Sequence, residues 1–170
     1  MKEVCTAYCL RSLDPLTPDA FRSTLQQMDL LSVGLRYLDR FDEDEARALL
    51  SATVPGLRVV SKGKTGSRVR ICYREEGCEQ NVYVHLWRTA GAVAAKVADT
   101  VAGFGATKSS DPERVLAHLR EVKGVVEFHL DTAGRRLASV VAGELVQWVC
   151  REFDGLWLWQ TDVVCEGYWD

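Results

Sequence analysis

Between residues 57 and 87 polar and apolar side chains alternate with a period of two. In Ser67–Arg74, Val69, Ile71 and Tyr73 fall on one side and Arg68, Arg70, Cys72 and Arg74 on the other. In Gln80–Trp87 the two sides are Val82, Val84 and Leu86 against Tyr83, His85 and Trp87. Leu57–Lys62 precedes them, and the connections Gly63-Lys64-Thr65-Gly66 and Glu75-Glu76-Gly77 are short and contain glycine. Such runs predict an antiparallel meander with one face on a core.

Elsewhere the period lengthens to that of a helix. Thr17 as N-cap, Pro18 at the first helical position and Asp19 in the first turn open a helix. Its Phe21, Leu25, Met28 and Leu31 make one apolar stripe. A second helix starts near Asp42, with Glu43, Asp44 and Glu45 at the positive end of its dipole. Ala46, Leu49 and Leu50 form its apolar side, and Pro55-Gly56 stops it. Thr89–Phe104 carries Val93, Val97, Val101 and Phe104 in register, and Asp111-Pro112-Glu113 begins a shorter helix with Val115, Leu116 and Leu119. A long helix from about Gly134 to Glu152 buries Leu137, Val141, Leu145, Trp148 and Val149. Val4–Leu10, Val125–Leu130 and a strand from Leu156 to about Val164 complete the set. The last strand is apolar on both sides, Leu156/Leu158 and Trp157/Trp159, so both sides are expected to be covered. The predicted order is β-α-α-β-β-β-α-α-β-α-β in a single α+β domain, residues 1–170, with a mixed or antiparallel sheet and helices packed on it. The β-α-β at Val125–Val164 fits a crossover connection.

A chain of 170 residues suits one domain. Glu3 interrupts the start, and Arg11 and Asp14 close the only apolar run near it, so a secretory signal is not expected. The longest stretch without Asp, Glu, Lys or Arg, Ala48–Leu57, falls well short of the roughly twenty residues a membrane helix needs. A cytoplasmic location and no membrane partner are expected. In a reducing compartment Cys5, Cys9, Cys72, Cys78, Cys150 and Cys165 are read as free thiols, mostly small buried side chains of strands.

Candidate chemistry is sparse. No Gly-x-Ser-x-Gly elbow occurs. Gly63-Lys64-Thr65 lacks the earlier glycine of a phosphate-binding loop, because that position is Arg58, and a strand rather than a helix follows. Gly103-Phe104-Gly105 ends a helix, whereas a dinucleotide fingerprint opens one. Asp42-Glu43-Asp44 lacks the glycine and the closing glutamate of a calcium loop. His118 and Glu121 share a helix face without a second ligand pair, and the cysteine spacings are looser than those of zinc knuckles. No catalytic residue, cofactor or metal set is therefore assigned, although a Cys/His enzyme using His85, His118 or His129 remains open on spacing alone.

Charge adds a further distinction. The 21 basic and 24 acidic side chains nearly cancel, to −3, but they are segregated. Arg58, Lys62, Lys64, Arg68, Arg70 and Arg74 occupy a span without acids, beside Tyr83, His85 and Trp87 on the next strand. Arginines and aromatics on one sheet face are how several single-strand RNA binders are built, so Arg68, Arg70, Tyr83 and Trp87 form one candidate surface. Acids gather at Asp42, Glu43, Asp44 and Glu45, and again after Arg151, where Asp162 and Glu166 accompany Tyr168 and Trp169. Aromatic anchors within an acidic surface suit a basic protein partner. These eight residues form the other candidate surface.

The segment Gly134–Trp159, a long alanine-containing helix running into Phe153-Asp154-Gly155 and then an apolar strand, resembles bacterial immunity-type proteins of polymorphic or contact-dependent toxin systems. The resemblance implies a non-enzymatic protein-binding module that neutralises a cognate toxin by direct binding, and the acidic surface suits a basic toxin domain. It covers 26 of the 170 residues and transfers no binding residue. The alternatives are the small Cys/His enzyme and the nucleic-acid-binding sheet face, although a net charge of −3 and a small basic cluster argue against a nucleic-acid partner.

Overall fold

The computed structural model describes residues 2–29, 32, 43–53, 56–62, 67–75, 77–104, 111–131, 137–160 and 164–167. The alternating runs pair as their pattern requires. Strands β2 (Arg58–Lys62), β3 (Arg68–Glu75) and β4 (Cys78–Trp87) form the antiparallel meander, and β5 (Gly124–Asp131) extends it. Beyond β5 lie β1 (Lys2–Cys9), β6 (Gly155–Gln160) and β7 (Val164–Gly167). The sheet order is β2-β3-β4-β5-β1-β6-β7, and every neighbouring pair is antiparallel. The α+β class holds, and the choice between a mixed and an antiparallel sheet resolves to antiparallel. One strand differs from the sequence reading. The run from Leu156 to Val164 is a hairpin rather than a single strand, with Trp157 opposite Gly167 and Gln160 opposite Val164.

Two helical layers cover the sheet, and the period of each strand decides which side chains meet which layer. On the first face Cys5, Ala7, Val69, Ile71, Val82, Val84 and Phe128 are buried under α1 (Pro18–Gln27), α2 (Glu43–Thr53) and α5 (Leu137–Phe153). Thr17 caps α1 by accepting a hydrogen bond from the Ala20 amide at 3.2 Å. Phe21 of α1 meets Trp148 of α5 edge-on, with ring centroids 5.5 Å apart. On the second face Tyr8, Val125, Leu156 and Leu158 pack against Val93 of α3 (Ala90–Phe104) and Val115 and Leu119 of α4 (Pro112–Arg120). Trp157 packs into the first-face core while Leu156 and Leu158 pack into the second, so β6 is covered on both sides.

The sequence stripe of α3 is corrected at its end, where Val101 is 42% exposed. Positions spaced by four drift around a helix of 3.6 residues per turn. By the third turn the side chain reaching the sheet is Thr100, whose hydroxyl bonds the Tyr8 hydroxyl. Leu31, Pro55, Gly63–Gly66 and the helix start near Gly134 lie outside the described residues.

β1 separates β5 from β6, which therefore run parallel to each other, and α5 joins these two across β1. The junction of α5 with β6 is tight. Asp154 adopts a left-handed backbone, φ 49°. A Cβ at Gly155 would stand 3.0 Å from the Cys150 Cα, so this close approach favours glycine. Arg11 ties the junction to the end of β1 through a 2.7 Å ion pair with Asp154.

Candidate functional site

Among the described residues the second helical layer stops short of one end of the sheet. Past Trp87 the same face presents Arg68 and Tyr83, both exposed, and Arg70, His85 and His129, all half-buried. Register sets them in two rows. Arg68 stands opposite His85, His85 opposite Glu127 and Glu127 opposite Thr6; in the next row Arg70 stands opposite Tyr83 and Tyr83 opposite His129. Tyr83 is 47% exposed, an unusual position for so large a side chain in the middle of a sheet. Neither Arg68 nor Arg70 has an ion-pair partner among the described residues, and the buried Nε of Arg70 makes no hydrogen bond among them.

Glu127 is the hub where the open and covered halves meet. It is only 7% exposed, so its charge requires partners. Lys96, reaching down from α3, donates to Oε1 at 2.7 Å, and the Trp87 indole Nε1 donates to Oε2 at 3.0 Å. Nε2 of His129 lies 3.4 Å from Oε2. The Lys96 ammonium also sits 4.8 Å from the centre of the Trp87 ring. Burial alone would push the Glu127 carboxyl up, but the bonds from His129, Lys96 and Trp87, with the Lys96 charge, bring it down to about 2. His85 completes the group, its ring 4.6 Å from that of His129. Burial, the His129 ring and the Arg68 and Lys96 charges hold the His85 imidazole below its ordinary value, against the pull of Glu127. His85, Glu127 and His129 each offer a ligand atom, and these atoms lie within 4.8 Å of one another.

Of the basic-aromatic surface, the fold brings Arg68, Arg70 and Tyr83 together in the open. Trp87 is partly withdrawn, because its indole is bonded to Glu127 and faced by Lys96. Of the acidic-aromatic surface, the four described residues do not fall together. Glu43, Asp44 and Glu45 are exposed at the start of α2, which packs on β3, whereas Glu166 belongs to β7 at the far edge. Five strand spacings of about 4.8 Å separate β3 from β7. Asp42, Asp162, Tyr168 and Trp169 lie outside the described residues.

Cys5, Cys9 and Cys150 do not assemble with His85 or His129. Cys5 and Cys9 point into the first-face core with Cys150, away from His85 and His129. Burial pushes the thiols of Cys5 and Cys9 well above their ordinary value and that of Cys150 to about 12. Buried thiols so shifted are poor nucleophiles. Cys72 lies on the opposite face from Cys5 and Cys9, so no four-cysteine set forms from these strands.

Sequence reasoning reached Arg68, Arg70, Tyr83 and His85 but missed Glu127 and His129 as their neighbours. The available signal was the spacing of two within a strand, which puts Glu127 and His129 on one face. The missing information was the pairing of β4 with β5, across an intervening pair of helices. No helix among the described residues is long and apolar enough to cross a membrane. Comparisons with protein-family models, curated proteins and solved structures found no match to this chain.

Proposed function

We propose that the chain is a binding protein that engages single-stranded nucleic acid across the open half of its sheet. The observation that carries this reading is the conjunction of an exposed Tyr83 with Arg68 and Arg70, cations without ion-pair partners among the described residues, on rigid neighbouring strands. Sugar-phosphate is held by guanidinium groups, and a base stacks on an exposed ring whatever its identity. Tyr83 is the platform; Trp87 contributes by orienting Glu127. Fluorescence anisotropy with short labelled RNA and DNA strands tests this. Tyr83→Ala is expected to weaken binding by about 1–3 kcal/mol. Arg70→Ala is expected to lower the slope of affinity against salt by about 0.7 for a lost single-strand phosphate contact. Binding indifferent to both substitutions would sink the reading.

A second reading, the immunity-type inhibitor of a basic toxin domain, is favoured by the exposed Glu43, Asp44 and Glu45 at the start of α2. Acids concentrated on one helix end steer association with a basic partner. A complex with the product of the neighbouring gene, weakened by Glu45→Lys and untouched by Arg70→Ala, would support it. No such complex, together with strand binding weakened by Arg70→Ala and untouched by Glu45→Lys, supports the nucleic-acid reading.

A further inference from the structure

We propose that His85, Glu127 and His129 bind a divalent transition-metal ion of the zinc class on the open face of the sheet. Two strands supply the three groups. His85 and Glu127 are a directly opposed cross-strand pair, and His129 lies two residues along β5 on the same face. The side chains are consequently fixed by backbone register rather than by a loop. Their ligand atoms lie within 4.8 Å of one another, and one pair, His129 Nε2 and Glu127 Oε2, is already 3.4 Å apart. Metal–ligand bonds of about 2.0–2.2 Å at a tetrahedral ion put ligand atoms roughly 3.3 Å apart, so small side-chain rotations close the set.

The surroundings are those of a held ligand set. Glu127 Oε1 is occupied by Lys96, and one lone pair of Oε2 by Trp87, which leaves the remaining lone pair of Oε2 directed towards the histidines. Such outer bonds orient a ligating carboxylate. On the solvent side His129 is 38% exposed, so a fourth coordination position opens outward, as in zinc sites that accept water or an exogenous ligand. Two imidazoles and a single carboxylate suit zinc, copper or nickel and not calcium or magnesium, which require sets of oxygen ligands. The positive charge of Lys96 adds to that preference, because it offsets the carboxylate on which a hard cation would depend. The inference is independent of nucleic-acid binding, which can be measured in chelator.

The test uses the full chain freed of metal by chelation and titrated with Co2+, followed by Zn2+ competition. Expected are one Co2+ per chain, visible bands of four- or five-coordinate cobalt, and displacement by Zn2+. His85→Ala and His129→Ala should each weaken binding at least about tenfold, while His118→Ala leaves it unchanged. Side-chain nitrogen NMR of the unsubstituted protein gives a readout that does not depend on the variants folding: zinc should shift the ring signals of His85 and His129 and spare His118. Magnesium added in excess should not compete. The proposal is overturned by the absence of saturable one-to-one binding, by a thiolate-to-cobalt charge-transfer band, or by zinc shifts confined to other residues.

Discussion

At the scale of the residue, burial decides which groups can react and which can titrate. Cys5, Cys9, Cys72 and Cys150 are buried, whereas Cys78 is exposed at the start of β4. Iodoacetamide at mildly alkaline pH, read by peptide mass spectrometry, should therefore label Cys78 quickly and those four only after unfolding. Fast labelling of Cys5 or Cys9 in the native protein would contradict the placement of β1. His118 makes a pH-dependent contribution. Its Nε2 lies 2.8 Å from the Tyr8 carbonyl oxygen. Burial holds its imidazole below the ordinary value of 6.5, with Arg114 acting in the same direction and the Tyr8 carbonyl and Asp154 opposing. The folded chain thus binds a proton at His118 less readily than the unfolded chain. Stability contributed by this residue is complete above 6.5 and is lost as pH falls through the depressed folded value. Urea unfolding across a pH series should show His118→Gln with a shallower acid-side decline than the unsubstituted protein.

At the scale of the element, two glycines with opposite surroundings make a paired prediction. Gly155→Ala places a Cβ against the Cys150 backbone and should cost about 1–3 kcal/mol, because α5 and β6 must separate to admit it. A Cβ added at Gly91 in α3 would meet nothing within 4 Å, so Gly91→Ala should be neutral or stabilise by up to about 1 kcal/mol. Thermal melts of both variants check the contrast. The elements themselves were largely legible, since local chemistry specified them. Thr17 and Asp111 cap the helices that their positions before Pro18 and Pro112 announce. Val69, Ile71, Val82 and Val84 bury the face that their alternation selects. Legibility failed where tertiary partners decide. The hairpin break after Gln160 lacks a Gly or Pro signal, Val101 loses its contact to helical drift, and Glu127 acquires its role only because Trp87 and Lys96 arrive from elsewhere in the chain.

At the scale of the whole molecule, one sheet is shared by both cores, so damage to either should be felt throughout. Leu145 is fully buried in the first-face cluster, and Leu145→Ala should cost about 2–5 kcal/mol by chemical denaturation. The unequal reach of the two helical layers gives the molecule its polarity. Among the described residues the first face is closed by α1, α2 and α5, while the second is closed only towards β1 and β6. The near-zero net charge conceals that asymmetry, because the arginines of β3 and the acids of α2 belong to different parts of the surface.

The position of β1 bears on biosynthesis. It leaves the ribosome well before either of its sheet neighbours, because Cys9 pairs with Gly124 on one side and Gly155 on the other. Roughly a hundred residues must be translated before either partner exists, about 5–20 s at ordinary elongation rates. Throughout that interval the nascent chain carries an apolar strand with two unmet edges, a template for pairing with other chains. Transient shielding by a chaperone that grips extended apolar peptides would shorten that exposure, and ribosome-bound intermediates should be captured by such a chaperone until β6 has emerged.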